Sequence, residues 1–346
     1  MTHAARVLVI GAGIGGLCAA LRLAARGIEV TVLERAATPG GKARHVHVTG
    51  QAIDGGPTVF TMRWVFEELL AEAGCDLATE LDLQPLQLLA RHAWDGGGTL
   101  DLFTDTGRSV AAIETLSGAD EARRFDEFCT RSRKVYESLE RTFMAAPLPS
   151  MPALVLRAGW RGLPGLLATS PFMSMWKALG QHFKDPRLQQ LFGRYATYCG
   201  SSPWLAPSTL MLVAHAEKLG VWSVAGGMHG LASSLARLAA ARGATFRYAS
   251  EVARIEISGG RASGVVLADG ERLPADIVVS NADVAALADG RFGADVRRAV
   301  KAQPAARRSL SAVTWCLAAR AEGFPLARHT GFFSNRHQSE FDDIFV

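Results

Sequence analysis

The sequence predicts an α/β fold of two domains, one of which is assembled from separated stretches of the chain. At 346 residues, and roughly 150 residues per domain, the length corresponds to about two domains. An apolar run at 6–10, a glycine-rich turn at 11–16 and a helical pattern ending near Gly27 precede a second apolar run at 29–33. With 49% hydrophobic and 20% charged residues, the composition is typical of a globular protein.

The glycine-rich turn has the spacing G-x-G-x-x-G, formed by Gly11, Gly13 and Gly16, with Gly15 as an additional glycine. In this pattern the first glycine makes a tight turn, the second lets the backbone approach a pyrophosphate, and the third lets helix and strand pack closely. The free N–H groups at the helix N-terminus favour phosphates. Glu34 ends the second strand, where a carboxylate accepts hydrogen bonds from ribose hydroxyls. The sequence therefore predicts a Rossmann-type dinucleotide site that disfavours a 2′-phosphate.

A second glycine-rich segment favours a flavin over a nicotinamide. It follows the second strand, where a simple nicotinamide dehydrogenase would have another crossover helix. Two short strand-like runs, H-V-H-V and Q-A-I-D, lead from its first glycine pair to a second one. Such a segment can enclose a diphosphate from the other side, which suits a cofactor held throughout turnover. Its candidate residues are Gly40, Gly41, Lys42, Arg44, Gly56, Pro57 and Thr58.

This opening resembles that of the amine-oxidase-like flavoprotein superfamily and, within it, the bacterial carotenoid desaturase family (phytoene desaturase and its relatives). The resemblance continues in "FKDPRLQQLFGRYATYCGSSPW" at 183–204 and in "GVWSVAGGMHGLASSLARLA" at 220–239, and it covers nearly the whole chain. The block at 183–204 is most similar to the 1-hydroxycarotenoid 3,4-desaturase branch. The family normally closes with a further glycine-rich region that nothing here matches, so we expect this chain to be C-terminally truncated.

The resemblance implies that FAD is the cofactor and indicates which parts of the chain contact it. The first glycine cluster would hold the diphosphate, Glu34 the adenosine ribose, and Val252 the adenine through its main chain. The S-N-A-D turn at 280–283 is expected near the cofactor. The full set of implied cofactor residues is Gly11, Gly13, Gly15, Gly16, Glu34, Arg35, Gly40, Gly41, Lys42, Arg44, Gly56, Pro57, Thr58 and Val252.

The resemblance also implies how the chain divides. Residues 1–75 and 225–290 would form the FAD-binding domain. Residues 76–224 and 291–346 would form a discontinuous α+β substrate domain, with a helical lid over 120–220. Local patterns predict helices over 61–74 and 120–143, strands over 99–104 and 311–319, and three strands joined by Gly-Gly and Asp-Gly turns within 251–283.

The implied activity is desaturation of a 1-hydroxy- or methoxy-carotenoid, in which an allylic hydride passes to flavin N5 and a neighbouring proton is lost. Quinone or oxygen would be the electron acceptor. A carotenoid isomerase, an amine-oxidase-like or protoporphyrinogen-oxidase-like flavoenzyme, and a truncated non-catalytic fragment stay open as alternatives. No catalytic residue is assigned; Arg161, Lys184 and His229 are polar groups in apolar surroundings, for which a structural role is favoured.

The remaining features concern location and other ligands. The apolar stretch 147–183, with Trp160 and Trp176, and the net charge of +4 suit contact with an anionic membrane surface. We therefore expect a cytoplasmic protein that is peripherally associated with the inner membrane. No metal is expected, because His45 and His47 lack a third ligand. Nucleic acid is not expected as a partner, because no basic stripe is interleaved with aromatic residues.

Overall fold

The computed structural model describes residues 5–146, 152–153, 156–157, 159, 170, 172–302, 304 and 308–345. Contacts divide the chain into two units. Unit 1 comprises Met1–Gln84, Trp222–Arg307 and Val313–Ala319, and unit 2 comprises Pro85–Val221, Arg308–Ala312 and Arg320–Val346. The roles of FAD-binding and substrate-binding domain stay predictions, as does a lid over 120–220. No helix of the described residues is long and apolar enough to cross a membrane.

The strands are β1 Arg6–Ile10, β2 Glu29–Leu33, β3 His45–Val48, β4 Gln51–Asp54, β5 Leu83–Pro85, β6 Leu88–Trp94, β7 Thr99–Phe103, β8 Trp222–Val224, β9 Thr245–Arg247, β10 Val252–Ser258, β11 Arg261–Leu267, β12 Arg272–Pro274, β13 Ile277–Ser280 and β14 Thr330–Phe333. The α-helices are α1 Ile14–Ala24, α2 Arg63–Glu72, α3 Leu77–Glu80, α4 Thr106–Ser117, α5 Ala119–Leu139, α6 Met175–His182, α7 Pro186–Gly193, α8 Tyr195–Tyr198, α9 Leu212–Lys218, α10 Met228–Ala241, α11 Val284–Ala288 and α12 His337–Phe345. A π-helical turn spans Glu140–Met144, and 3₁₀ turns span Ser208–Met211 and Ala294–Ala299.

Unit 1 is built on a parallel sheet in the order β13-β1-β2-β9. β1 lies inside the sheet, which explains its uninterrupted apolar run, and Val9 is fully buried. Helix α1 packs against α10 and buries Leu17 and Leu21 in the same core. A Cβ on Gly16 would lie 2.0 Å from the carbonyl oxygen of Gly11, so only glycine lets α1 begin this close to β1. The predicted strand, glycine turn, helix and strand are confirmed.

Two hairpins of unit 1 are also as the sequence predicts. β3 and β4 pair antiparallel directly after the second glycine segment. The antiparallel sheet β10-β11-β12 turns at Gly259 and Gly260, whose φ angles of 55° and 78° suit glycine. β13 then returns the chain to the edge of the parallel sheet beside β1.

Three boundaries differ from the expectations. The helix predicted over 61–74 begins at Arg63, because Met62 is left-handed with φ 50°, and it ends at Glu72. The helix predicted over 120–143 is α5, which passes into the π-helical turn after Leu139. The strand predicted over 99–104 is β7, which ends one residue earlier, at Phe103, and pairs with β6.

The strand predicted over 311–319 is wrong. Val313, Trp315 and Leu317 alternate as a half-buried strand would, yet they are 82%, 80% and 74% exposed. A strand forms only against a neighbouring strand, because its N–H and C=O groups need partners. Within the described residues no segment pairs with this one, so it runs as irregular chain.

Unit 2 combines the sheet β14-β6-β7 with helices α4 to α9. Its core is aromatic: the ring of Phe192 lies 4.8 Å from that of Phe128 and 5.2 Å from that of Phe183. The helix predicted over 120–143 buries Phe125 and Phe128 in this core.

His92 in β6 makes the stability of unit 2 depend on pH. The ring is 1% exposed, and its Nδ1 lies 3.3 Å from the Leu100 carbonyl oxygen. Burial, together with the positive charge of Arg194, lowers the pKa of His92 to about 3. In the unfolded chain the pKa of histidine is about 6.5. Between these values only the unfolded state binds the proton, so stability falls as the pH falls.

We therefore expect the free energy of unfolding of the wild type to fall more steeply than that of His92→Leu between about pH 5.5 and pH 4. The difference in slope is about 1.4 kcal/mol per pH unit, which corresponds to one proton. Urea unfolding at several pH values measures it. Equal slopes would mean that His92 keeps an ordinary pKa in the folded chain.

Candidate functional site

The glycine turn between β1 and α1 presents unpartnered backbone donors. The Gly11 N–H donates to the Leu33 carbonyl at 2.8 Å and thereby fixes the turn against β2. Gly13 stands at the N-cap of α1 and supplies no side-chain cap. The N–H groups of the first helical turn have no carbonyl one turn earlier to bind. The turn therefore offers donors and a positive helix end to an anion.

The second glycine segment packs directly onto this turn. The Gly40 N–H donates to the Ala12 carbonyl at 2.8 Å, and Gly13 and Gly40 form a parallel β-bridge. A Cβ on Gly41 would lie 3.2 Å from the Cα of Gly13. A Cβ on Gly56 would lie 2.0 Å from the Lys42 carbonyl oxygen, so the two ends of the second glycine segment also pack together. Backbone therefore meets backbone at each of these contacts.

Glu34 carries a buried carboxylate at the end of β2. It is 7% exposed; its Oε2 accepts from the Ala12 N–H at 2.7 Å and its Oε1 from the Ala36 N–H at 2.8 Å. Within the described chain no cation forms an ion pair with it. A carboxylate has about four acceptor positions, so two stay available to hydroxyl donors. A buried acid beside a phosphate-type turn, with acceptor positions to spare, fits the ribose of a dinucleotide.

The segment before β10 runs along the backbone of Glu34. The Glu34 N–H donates to the Arg247 carbonyl at 2.9 Å, and the Ser250 N–H donates to the Glu34 carbonyl at 2.8 Å. Val252 begins β10 and its side chain is buried in the same core cluster as Leu33. Any contact of Val252 with an adenine would therefore be made by its backbone.

Several candidate side chains lie on the surface around this site. Their exposure leaves them free to reach a ligand but gives them no fixed geometry, except that Arg44 Nη1 donates to the Gly41 carbonyl at 3.4 Å. His229, one of the polar groups weighed in the sequence, has its Nδ1 3.2 Å from the Ala43 carbonyl oxygen and supports this loop. Lys184 belongs to unit 2, and Arg161 lies outside the described residues. The exposed candidates are Arg35, Lys42, Arg44, Pro57 and Thr58.

Sequence reasoning missed the role of Asp54. Its Oδ2 accepts from the Met228 N–H at 2.9 Å, so it caps α10, and its Oδ1 lies 3.5 Å from Nε2 of His45. A Cβ on Gly227 would lie 2.7 Å from either carboxylate oxygen. The hairpin that follows the second glycine segment is thereby fastened to the N-terminus of α10. In the sequence this contact appears only as an acid before Gly55 and a Gly-Gly pair at 226–227. No local pattern relates the two, so the contact could not be predicted.

Asn281 lies at the carboxyl end of the parallel sheet, next to the glycine turn. Its N–H donates to the Ile10 carbonyl at 2.9 Å, directly after the pairing of Ile10 with Ser280. Its side chain lies over the glycine turn. The expected place of the S-N-A-D turn near the cofactor stays a prediction. Among the described residues no group of three or more His, Cys, Asp or Glu side chains could hold a metal ion.

The sequence pattern of the flavin containing amine oxidoreductases matches residues 14–319. The chain belongs to this family. Its cofactor is therefore FAD, and the glycines and buried carboxylate described above fit that dinucleotide. Which of these residues hold it stays a proposal.

The curated relatives of this chain include proteins named hydroxyneurosporene desaturase. The one from Rubrivivax gelatinosus is 54% identical over 99% of this chain and 65% of its own length. The one from Cereibacter sphaeroides is 46% identical over 98% of this chain and 68% of its own length. The chain thus spans about two thirds of the relatives that it matches.

Among solved structures, an oxidoreductase from Methanosarcina mazei superposes with a TM-score of 0.54. It is 19% identical and covers 86% of this chain and 62% of its own. At that identity the likeness concerns the fold alone. The expected α/β flavoprotein fold and the resemblance to carotenoid desaturases are both confirmed.

Proposed function

We propose that this flavoprotein desaturates a hydroxylated or methoxylated carotenoid. The observation that carries the proposal is the buried carboxylate of Glu34, which forms no ion pair within the described part of the chain and lies beside two interlocked glycine segments, in a chain 54% identical to a hydroxyneurosporene desaturase. The geometry of the site supports a tightly held dinucleotide, and the names of the relatives support the substrate class. Quinone or oxygen is the electron acceptor that we propose to reoxidise the flavin.

The proposed site divides the cofactor among the parts of unit 1. The first turn of α1 and the bridge between Gly13 and Gly40 would hold the diphosphate. Glu34 would accept hydrogen bonds from the adenosine ribose, and the backbone of Val252 would pair with the adenine. When bound, FAD supplies a hydride acceptor for an allylic C–H bond, and loss of a neighbouring proton completes the new C=C bond. The chain's part is to bind, orient and exclude water.

Absorption spectroscopy tests this function. The protein carrying this chain, supplied with FAD and with hydroxyneurosporene in lipid vesicles, is expected to yield a product whose absorption bands shift to longer wavelength. The shift follows because each added double bond lengthens the conjugated system. A change confined to the cis-peak intensity would support an isomerase instead. No spectral change, with FAD bound, would contradict the proposed desaturation and favour a non-catalytic flavin-binding fragment.

We further propose that unit 2 contacts the surface of the inner membrane from the cytoplasmic side. Phe172 and Leu205 are 91% and 68% exposed. They lie on neighbouring segments, because the Met175 N–H donates to the Ala206 carbonyl at 2.8 Å. Exposed apolar side chains on a chain of net charge +4 suit anionic lipid. Most of the stretch 147–183 on which the sequence argument rested, including Trp160, lies outside the described residues.

The double substitution Phe172→Glu, Leu205→Glu is expected to lower the fraction of protein that sediments with anionic liposomes. The added carboxylates would be repelled by the lipid and would remove the apolar contact. Raising the salt concentration should weaken binding of the wild type, because screening shortens the electrostatic attraction. Val284→Glu, at a 55% exposed position of unit 1, is the matched control. Equal sedimentation of all three proteins would place membrane contact elsewhere or exclude it.

A further inference from the structure

Asn281 is far from the glycine turn in the sequence but lies beside it in the fold. It follows β13, which pairs parallel with β1, and its N–H continues the pairing to the Ile10 carbonyl at 2.9 Å. β1 ends where the glycine turn begins. In parallel sheets the carboxyl ends of neighbouring strands meet at one edge, where ligands bind. The residue after β13 therefore stands beside the residue after β1.

The Asn281 side chain lies across the glycine turn. A Cβ on Gly13 would be 2.7 Å from its Nδ2, and a Cβ on Gly15 would be 2.7 Å from its Oδ1. Gly15 lies in the first turn of α1 and has no positive φ, so its backbone conformation does not require glycine. The structure gives a reason for that glycine: its missing Cβ leaves room for the Asn281 amide.

The amide is free to bind a ligand. Asn281 is exposed, and its side chain makes no hydrogen bond to another described residue. An amide group has two N–H donors that an anion can use. The carboxylate of the same turn, Asp283, caps α11: its Oδ1 accepts a hydrogen bond from the Ala285 N–H at 2.7 Å. Asn281 thus adds neutral donors, with no opposing charge, beside the donor-rich start of α1.

We propose that Asn281 binds the FAD diphosphate by donating from its side-chain amide. The inference rests on the proposed cofactor site and adds a third chain segment to it, after the glycine turn and the segment at Gly40 and Gly41. Asn281 thereby closes the diphosphate site with a residue that comes more than two hundred positions later in the chain. FAD retention then depends on the return of β13 to the sheet.

The experiment measures FAD affinity in three variants of the full chain by flavin fluorescence quenching. Asn281→Ala should weaken FAD binding about tenfold, because one hydrogen bond to a charged group is lost. Asn281→Asp should weaken it about a hundredfold, because its carboxylate opposes the diphosphate. ADP, used as a competitor, should lose affinity in parallel, whereas adenosine, which lacks phosphates, should compete as in the wild type.

Asp283→Ala is the matched control in the same turn. It removes the cap of α11, so it should lower the Tm of the cofactor-free chain while leaving FAD affinity within about twofold. Wild-type FAD affinity in both Asn281 variants would overturn the proposal, as would an equal loss for adenosine, which would make Asn281 a support of the turn only. A wild-type chain that binds no FAD would overturn the proposed cofactor site and this inference with it.

Discussion

Gly13→Val is expected to abolish FAD binding while leaving the chain folded. Gly13 stands where the first turn of α1, the bridge to Gly40 and the Asn281 amide converge. Even a Cβ would come within 2.7 Å of Asn281 Nδ2, and a valine adds two further methyl groups. Asn281 is exposed and can turn aside, so the fold survives. A diphosphate that must approach the Gly13 backbone has no such freedom.

The measurement is the FAD content of the purified variant and its dissociation constant, with a loss in affinity of at least about a hundredfold. Gly180→Val in α6 is the matched control, because a Cβ there would meet no atom within 4 Å. It should bind FAD like the wild type. Normal FAD content in Gly13→Val would remove the glycine turn from the cofactor site.

Glycine has two different roles in this turn: at Gly16 it allows the helix to pack on the strand, and at Gly13 it allows a ligand to approach. A Cβ on Gly16 would collide with a backbone atom, the carbonyl oxygen of Gly11 at 2.0 Å, which cannot turn aside. Substitution at Gly16 therefore disturbs the packing of α1 on β1, whereas substitution at Gly13 first affects the ligand. The G-x-G-x-x-G pattern predicts both roles. In the structure the Cβ of a residue at Gly16 would meet the Gly11 carbonyl oxygen, and that of a residue at Gly13 would meet the Asn281 amide.

The local sequence was sufficient for most of unit 1. The strand at 6–10, the glycine turn, α1 and β2 depend on hydrophobic periodicity and on glycines within a span of about thirty residues. The hairpin turn at Gly259 and Gly260 likewise depends on residues next to each other. In each case the residues that form the element also provide the reason for it, so the pattern was enough.

Features that join distant parts of the chain could not be predicted in the same way. The capping of α10 by Asp54 joins residues that no periodicity relates, and the two N–H donors to Glu34 belong to loops. The expected strand at 311–319 shows the converse. Its alternation describes a side-chain pattern, but only a neighbouring strand makes such a segment a strand, and alternation carries no information about neighbours.

The second large effect is expected at Glu34. Glu34→Gln keeps the size of the side chain but replaces one acceptor oxygen by an NH₂ group, which then faces either the Ala12 or the Ala36 N–H. One N–H is then left without an acceptor. At the buried Ala12 N–H the loss costs about 1–3 kcal/mol in the free energy of unfolding, and at the part-buried Ala36 N–H it costs less. The position offered to the ribose hydroxyls loses its charge as well, because the remaining oxygen is neutral.

We therefore expect Glu34→Gln to weaken FAD binding about a hundredfold and to lower the Tm of the cofactor-free chain. Glu29→Gln, at the exposed start of the same strand, is the control and should change neither. Adenosine should lose affinity for Glu34→Gln in parallel with FAD, since the ribose is part of both. FMN, which has no adenosine, should compete equally well in variant and wild type. A Glu34→Gln protein that is destabilised yet keeps its FAD affinity would contradict the ribose contact, because the carboxylate would then serve only to hold the loops of Ala12 and Ala36 together.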